Sequence, residues 1–194
     1  MSRTLVLFFR EPRLGVGKRR LARDIGAVAA VNFERLMLAR SLHRLGRDPR
    51  WRLRLAVTPD RAARRWPGAM AQGDGDLGMR MRRALAACPP GPKLLVGSDV
   101  PGLSAAHIAA AFALLGRHDV VFGPASDGGY WLVGCRHRPP DFGPKFGIVR
   151  WSSPHALADT LANLPKSLSV GFAATLGDVD DGAAYARVMR RRER

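Results

Sequence analysis

The sequence has only two cysteines, Cys88 and Cys135, and their separation matches neither a disulfide framework nor a metal-binding motif. It also lacks any apolar run near the roughly 20 residues that a transmembrane helix needs. The apolar run near the start is short, ends at Arg10 and has no small-residue cleavage site, so we interpret it as a buried strand rather than a signal peptide. These absences predict a reduced, cytoplasmic protein with no membrane span.

Aromatic and acidic residues are scarce. Aromatics make up 7% of the chain, and 32 Lys and Arg stand against 16 Asp and Glu, giving a net charge of +16. A chain with this much positive charge is suited to bind either nucleic acid or a small phosphorylated substrate. The few aromatics offer no stacking platform for bases, and the basic residues are scattered apart from Arg190, Arg191, Arg192 and Arg194. Nucleic-acid binding is therefore the less favoured alternative.

Two further absences narrow the chemistry. There is no Gly-x-Ser-x-Gly elbow, which argues against a serine hydrolase. The five histidines have no metal-ligand spacing, so we interpret them as surface or structural residues.

The 194 residues, 46% of them hydrophobic, suit one domain spanning residues 1–194. Apolar runs that alternate with helical patterns predict an α/β sheet with right-handed crossovers. A short loop joins two of the runs, which predicts an antiparallel excursion in a mixed sheet. The predicted strands are Thr4–Phe9, Arg52–Val57, Lys93–Gly97, Asp119–Gly123, Tyr130–Gly134 and Leu168–Val170. The predicted helices are Arg19–Leu45 with a break at Gly26, a short one after Thr58, Met79–Ala87, one capped by Ser104 and ending near Leu115, one starting at Ser152 or Ser153, and Asp181 to about Arg191.

The loop between the first strand and the first helix is rich in glycine and basic residues. It runs from Arg10 to Lys18 and contains Gly15 and Gly17. Glycines let the backbone approach a phosphate closely, and a helix N-terminus favours an anion. Phosphate binding and an ordinary solvated basic loop are both consistent with this segment, which is not a P-loop because no Gly-Lys-Ser/Thr ending is present.

Ser98 and Asp99 follow the buried strand Lys93–Gly97. A carboxylate at the carboxyl end of such a strand is well placed to hold a divalent cation that bridges phosphate oxygens. The alternative is a helix cap or turn, but Ser104 is the better cap candidate. We therefore predict a metal ligand at Asp99.

Three other segments admit both a structural and a functional interpretation. Asp127-Gly128-Gly129-Tyr130 is a strong turn signal whose glycines also permit close approach of a substrate. Gln72–Gly78 either caps the following helix or contacts a base or ribose. Asp178-Val179-Asp180-Asp181 either caps the last helix or binds a metal.

Six blocks in order resemble a known family. They are FFREPRLGVGKRRLA, QGDGDLGMRM, LLVGSDVPGLS, DVVFGPASDGGYWLVG, FGIVRWSS and LGDVDD. Together they cover nearly the whole chain and are similar to the bacterial DUF2064 proteins, small glycosyltransferases of the GT-A, nucleotide-diphospho-sugar transferase superfamily. The resemblance implies a three-layer α/β/α, Rossmann-like GT-A fold with a mixed, mostly parallel sheet.

The resemblance also implies roles for single residues. Lys18 and Arg20 would contact nucleotide phosphates with Arg10 nearby, and Arg19 stands where the family usually has Thr. Asp99 and Asp180 would bind Mg²⁺ or Mn²⁺. The nucleotide side would further include Gln72, Asp76, Gly78 and Ser98, and the acceptor side Asp127, Gly128, Gly129 and Tyr130, with Asp99 and Asp127 as the catalytic pair.

The function so implied is transfer of a sugar from a nucleotide-diphospho-sugar to a small-molecule acceptor. The Asp-Gly-Gly block is also similar to guanylyltransferases of cofactor biosynthesis, which use a nucleoside triphosphate and release pyrophosphate. Nucleotidyl transfer is therefore the alternative enzyme function.

Overall fold

The computed structural model of the chain describes residues 2–137 and 149–190. Its strands are β1 (Thr4–Arg10), β2 (Arg52–Thr58), β3 (Met70–Ala71), β4 (Lys93–Gly97), β5 (Val120–Pro124), β6 (Tyr130–Cys135) and β7 (Val170–Phe172). Its helices are α1 (Arg19–Ile25), α2 (Ala27–Gly46), α3 (Leu77–Ala86), α4 (Ala105–Leu114), α5 (Ala156–Ala162) and α6 (Gly182–Arg190), with a 3₁₀ helix at Asp60–Arg65.

The strands form one sheet in the order β3-β2-β1-β4-β6-β5-β7. Strand β6 is antiparallel to both of its neighbours, and the other pairs are parallel. The antiparallel excursion predicted from the short loop after Gly123 is confirmed. Because β4, β5 and β7 keep the direction of β1, the loops that follow these strands all lie at one edge of the sheet.

Strand β1 is covered on both faces, as its continuous apolar run predicts. Leu5 and Leu7 belong to a core shared with α2 and α4, whereas Val6 belongs to a second core shared with α3 and α5. Successive side chains of a strand point to opposite faces, so this division places one pair of helices on each side of the sheet. The fold is the expected three-layer, mostly parallel α/β/α arrangement.

The predicted break at Gly26 divides the first helical segment in two. Gly26 has φ +87°. Its N–H donates to Ala22 O and its carbonyl accepts from Ala30 N, so one residue closes α1 and opens α2. The bend lets α1, α2 and α6 share a third core that contains Leu21, Phe33 and Val179.

Most predicted elements lie within one or two residues of the observed ones, and Ser104 caps α4 as predicted, its Oγ accepting from His107 N. Three predictions fail in detail. Strand β3 is absent from the prediction because two residues carry too little alternation to detect. Helix α5 begins at Ala156 because residues 151–155 form turns, and the last strand lies two residues later than expected. The first residues of the FGIVRWSS block lie outside the described residues. The arginines at 191, 192 and 194 also lie outside them.

Within the described ranges, none of the helices combines the length and apolarity needed to cross a bilayer.

Candidate active site

The candidate site lies where the strand order reverses direction. The chain runs from β1 outward to β2 and β3, then returns to place β4 on the other side of β1. The loop after β1 and the segment after β4 therefore lie side by side at the carboxyl edge, which is where open α/β sheets bind ligands. These segments carry Lys18 and Asp99.

Lys18 joins three distant parts of the chain. Its Nζ donates to Asp99 Oδ2 at 3.0 Å and to Asp180 Oδ1 at 2.8 Å. The Lys18 side chain is only 9% exposed, and those of the two aspartates are about half exposed. Burial alone would lower the pKa of Lys18, but Asp99 and Asp180 outweigh it and raise the pKa above its ordinary value, so the amine stays charged.

Asp99, Asp178 and Asp180 form a carboxylate cluster, each offering an oxygen within 4.8 Å of the others. Burial, with help from neighbouring Asp180, raises the pKa of Asp178 to about 6. Three carboxylates and one ammonium carry a formal charge of −2, and carboxylate oxygens are the ligands that Mg²⁺ and Mn²⁺ prefer. The donor set therefore fits a divalent cation.

Alternation along an extended segment explains why two of these aspartates act together. Val179 is buried at 1% exposure, which anchors the segment in the third core. Its neighbours Asp178 and Asp180 consequently face away from that core, toward Asp99. Asp181 has a different role. Its Oδ1 accepts a hydrogen bond from Ala184 N at 2.7 Å, so Asp181 caps α6.

A carboxylate also supports the glycine-rich loop that runs from Arg10 to Lys18. Gly17 has φ +101°, and a Cβ there would lie 2.5 Å from Glu34 Oε1. Glu34, on α2, also lies within hydrogen-bonding reach of the Lys18 backbone N–H, and burial raises its pKa. Glu34 thus holds the backbone on which Lys18 is mounted. Helices α1 and α2 contain two acidic residues, and Glu34 is one of them. This scarcity is the signal in the sequence that could have pointed to Glu34.

Gln72 is completely buried, so the structure places it beneath the site rather than on its surface. Its amide nitrogen donates to Phe9 O and Ala56 O, both at 2.9 Å, and its Oε1 accepts from Arg80. The side chain ties the ends of β1 and β2 to α3 and positions the Arg80 guanidinium.

Basic groups gather around this buried amide. Burial first, then the nearby charge of Arg10, lowers the pKa of Arg80, whose guanidinium lies 5.7 Å from the Phe8 ring centroid. Arg83 Nη1 donates to Gln72 O at 2.5 Å and to Asp74 O at 3.0 Å. Arg10, predicted beside the nucleotide, therefore belongs to a cationic group at the carboxyl edge of β1 and β2.

Other predicted residues of the nucleotide side have clear structural positions. Asp76 caps α3, its Oδ1 accepting from Met79 N at 2.8 Å, and Gly78 is buried within that helix. Ser98 is half-buried between the end of β4 and Asp99. Asp76 therefore has the capping role that was one of its two interpretations, and Ser98 adjoins the carboxylate cluster.

The Asp127 turn is both a tight hairpin and a wall of the site. Asp127 Oδ1 accepts from Gly129 N at 2.9 Å, closing the turn between β5 and β6. Gly128 has φ +87°, and a Cβ there would lie 2.1 Å from Pro154 O, so this glycine packs directly on the segment before α5. The negative charge of Asp127 contributes to the raised pKa of Asp178, after burial and Asp180, which places the turn beside the cluster.

Tyr130 follows this turn, and its hydroxyl is buried. Burial raises the pKa of its hydroxyl, which lies next to Thr160 of α5. Its ring packs on Phe122 with centroids 5.1 Å apart. The structure thus brings Asp127 to the cleft and turns the Tyr130 hydroxyl into the interior.

A cleft of about 1050 Å³ opens beside the carboxylate cluster. Asp127, Asp178 and Asp180 line one part of it, and Arg20 lines another. Its size suits a small-molecule ligand. Lys18, Arg20, Asp99, Asp127 and Asp180 therefore meet at one place. Asp178 joins them as a metal-ligand candidate, which was one of the two interpretations of the segment from Asp178 to Asp181.

The sequence profile of a family described as uncharacterized protein conserved in bacteria, DUF2064, matches residues 41–153. A crystal structure from Desulfovibrio desulfuricans G20, provisionally named a nucleotide-diphospho-sugar transferase, is similar over 100% of this chain and 96% of its own, with TM-score 0.78 and 26% identity. Rv0371c from Mycobacterium tuberculosis H37Rv in complex with manganese has TM-score 0.57 and 17% identity over 98% and 99%.

A third similar structure is CMP:2-keto-3-deoxy-manno-octonic acid synthetase complexed with CTP, with TM-score 0.59 and 11% identity over 100% of both chains. At such identities the last two show the fold alone. No curated protein matches the chain.

Proposed function

The chain belongs to the DUF2064 family of uncharacterized bacterial proteins, and from that premise we propose that it is a metal-dependent transferase acting on a nucleotide-diphospho-sugar. The donor diphosphate would lie between the loop after β1 and the carboxylates of Asp99, Asp178 and Asp180. The acceptor would lie in the adjoining cleft beside Asp127.

One observation carries the proposal. Lys18 is mounted on the glycine-rich loop, yet its ammonium lies between Asp99 and Asp180. A phosphate-binding loop and a metal-type carboxylate cluster therefore share one location, which is the requirement for binding a metal-complexed diphosphate. The likeness to the D. desulfuricans protein, which covers the whole chain, supports the same function.

The chain's own residues supply most of the proposed chemistry. Lys18 and Arg20 stabilise the charge that accumulates on the leaving diphosphate, and Arg10 adds to the positive field. Glu34 keeps the loop backbone in place, and Gln72 positions Arg80 next to Arg10. A divalent cation held by Asp99, Asp178 and Asp180 would neutralise the diphosphate when bound.

In the transfer step an acceptor hydroxyl oxygen forms a bond to the anomeric carbon of the sugar. The bond from that carbon to the diphosphate oxygen breaks, and the nucleoside diphosphate leaves with the electron pair. Asp127 is the carboxylate placed to accept the hydroxyl proton, because it lines the cleft while the hydrogen bond from Gly129 N to its Oδ1 holds the carboxylate in position.

Nucleotidyl transfer is the second candidate. Its basis is a shared fold, over the full length of both chains, with a synthetase complexed with CTP. In that reaction an acceptor oxygen attacks the α-phosphate of a nucleoside triphosphate, and pyrophosphate leaves. The same cationic and metal-type groups would serve, so ligand preference is what separates the two reactions.

The test is a thermal unfolding panel of nucleotide sugars, nucleoside diphosphates and nucleoside triphosphates, each with Mn²⁺, Mg²⁺ or EDTA. A ligand at 100 times its Kd stabilises the folded state by about 2.7 kcal/mol, which raises Tm by roughly 5–10 °C in a chain of this size. We expect a metal-dependent shift with one nucleotide sugar. A shift with a triphosphate alone would favour nucleotidyl transfer.

Matched variants make the panel specific. Asp99→Asn should abolish the metal-dependent shift. Asp48→Asn should keep it, because Asp48 pairs with its near neighbour Arg50 at the opposite edge of the sheet. If no nucleotide shifts Tm, and the protein instead binds DNA or RNA tightly with a steep salt dependence, the enzyme proposal is wrong.

A further inference from the structure

The cleft beside the carboxylate cluster is also lined by arginines that the proposed chemistry does not use. They are Arg40 and Arg44 of α2 and Arg187 of α6. Arg40 and Arg44 are one helical turn apart, so both project from the same face of α2 toward the cleft. Three guanidinium groups from two helices thus border a single cavity.

Arg44 is held in place at the rim of the cleft. Its Nη1 donates to Leu103 O at 3.2 Å, across the gap between α2 and the loop that leads into α4. A guanidinium has five N–H donors and this bond uses one, so the group keeps a fixed orientation and a capacity for further acceptors. Fixed, planar donors are suited to carboxylate and phosphate groups.

The same cleft also carries negative charge. Asp127, Asp178, Asp180 and Asp181 line it together with the arginines. An extended polyanion would meet these carboxylates and be repelled by them. A small molecule with an anionic group at one end and a neutral hydroxyl at the other would match both kinds of side chain at once.

We infer that the second substrate is a small hydroxylated anion, a phosphate monoester or carboxylic acid, whose charged group is bound by Arg40, Arg44 and Arg187. Its hydroxyl then lies toward Asp127. That the bound anion is a substrate rests on the proposed function, but the anion site itself is a property of the cleft. The reacting hydroxyl is thereby held at the acidic end, where the proton acceptor lies.

The experiment measures binding of four probes with one carbon skeleton: glycerol, glycerate, glycerol 3-phosphate and 3-phosphoglycerate. Calorimetry on the wild-type chain should show affinity rising along this series. The double variant Arg40→Gln/Arg44→Gln should bind the two phosphorylated probes about ten-fold more weakly or worse, because charge-assisted bonds are lost. The control Arg35→Gln, on the same helix but lining a separate depression, should bind them like the wild type.

Lys18→Met separates this site from the donor site. We expect it to weaken Mn²⁺-dependent binding of inorganic pyrophosphate and to leave binding of the four probes unchanged. The double arginine variant should leave pyrophosphate binding unchanged and weaken binding of the phosphorylated probes. A flat affinity across the charge series, or equal loss of the probes in Lys18→Met, would overturn the inference. If no nucleotide sugar binds any variant, the proposed function fails while the charge series still decides the anion site.

Discussion

The ammonium of Lys18 lies 3.0 Å from a carboxylate oxygen of Asp99, a residue 81 positions later in the chain. The two residues follow β1 and β4, which are neighbours in the sheet but are separated in sequence by β2 and β3. The contact therefore depends on the strand order, and it places a cation in direct competition with any metal ion for the same carboxylate.

This competition predicts opposite effects of Lys18→Met on two ligands. Removing the ammonium leaves three carboxylates with no internal counter-ion, so the affinity for Mn²⁺ alone should rise several-fold. Affinity for Mn²⁺ with pyrophosphate should fall by roughly 10- to 100-fold, because a charge-assisted hydrogen bond to phosphate is lost. Electron paramagnetic resonance of free Mn²⁺ gives the first affinity and calorimetry the second.

The matched control for that variant is Lys166→Met, on an exposed turn between α5 and β7. It should change neither affinity. Weaker binding of Mn²⁺ by Lys18→Met would show that the ammonium supports the metal site instead of competing with it.

Asp178 and Asp181 should respond differently to the same substitution. Asp178→Asn should lower Mn²⁺ affinity about ten-fold or more, because affinity follows the number of ligand charges. Its free energy of unfolding without metal should not fall, since repulsion by Asp180 is relieved. Asp181→Asn should keep the metal affinity within about two-fold, because this residue caps α6. Mn²⁺ titration and urea denaturation of both variants check this prediction.

Two glycines with the same φ form a matched pair. Gly26 and Gly128 both have φ +87°, but a Cβ at Gly26 meets nothing within 4 Å whereas one at Gly128 would lie 2.1 Å from Pro154 O. Gly26→Ala should cost about 1–3 kcal/mol, because its ψ of 150° places it in a region that residues other than glycine rarely adopt. Gly128→Ala should cost about 3–5 kcal/mol, since backbone must also move. Chemical denaturation gives both values, and equal losses would contradict the packing.

Tyr130→Phe tests which side of β6 faces the ligand. The Tyr130 hydroxyl is buried beside Thr160, so its removal should leave the affinities for Mn²⁺, nucleotide and glycerol 3-phosphate within about two-fold of the wild type. Stability should change by only about 1 kcal/mol. A large loss of ligand affinity with unchanged stability would support the acceptor-side role of Tyr130 that is expected from the sequence.

The fold was largely predictable because its determinants are local. Buried runs such as Lys93–Gly97 carry their strand signal in consecutive residues, and Ser104 carries a cap signal in one side chain. Strand β3 was not predictable, because its two residues form a strand only through pairing with β2. The sequence cannot display a pairing partner, so such elements depend on tertiary structure.

The candidate site was predictable as a set of segments but not as a set of contacts. Asp99 stands out because a carboxylate directly follows a buried apolar run, whereas Lys18 and Asp180 were assigned from the resemblance to the DUF2064 family. The burial of Gln72 and the inward turn of Tyr130 follow from packing on β2 and α5, which no local pattern reports. Glu34 supports the loop from the middle of a helix, where an acidic residue normally signifies only an exposed face.

Two of the three clustered carboxylates come from the segment between β7 and α6. A chain cut after β7 would keep all seven strands of the sheet and lack Asp178 and Asp180. Lys18 would then have Asp99 alone as a partner in this cluster, and two of the three carboxylates that fit a divalent cation would be gone. The sheet and the candidate metal site are therefore separable at a single point of the chain.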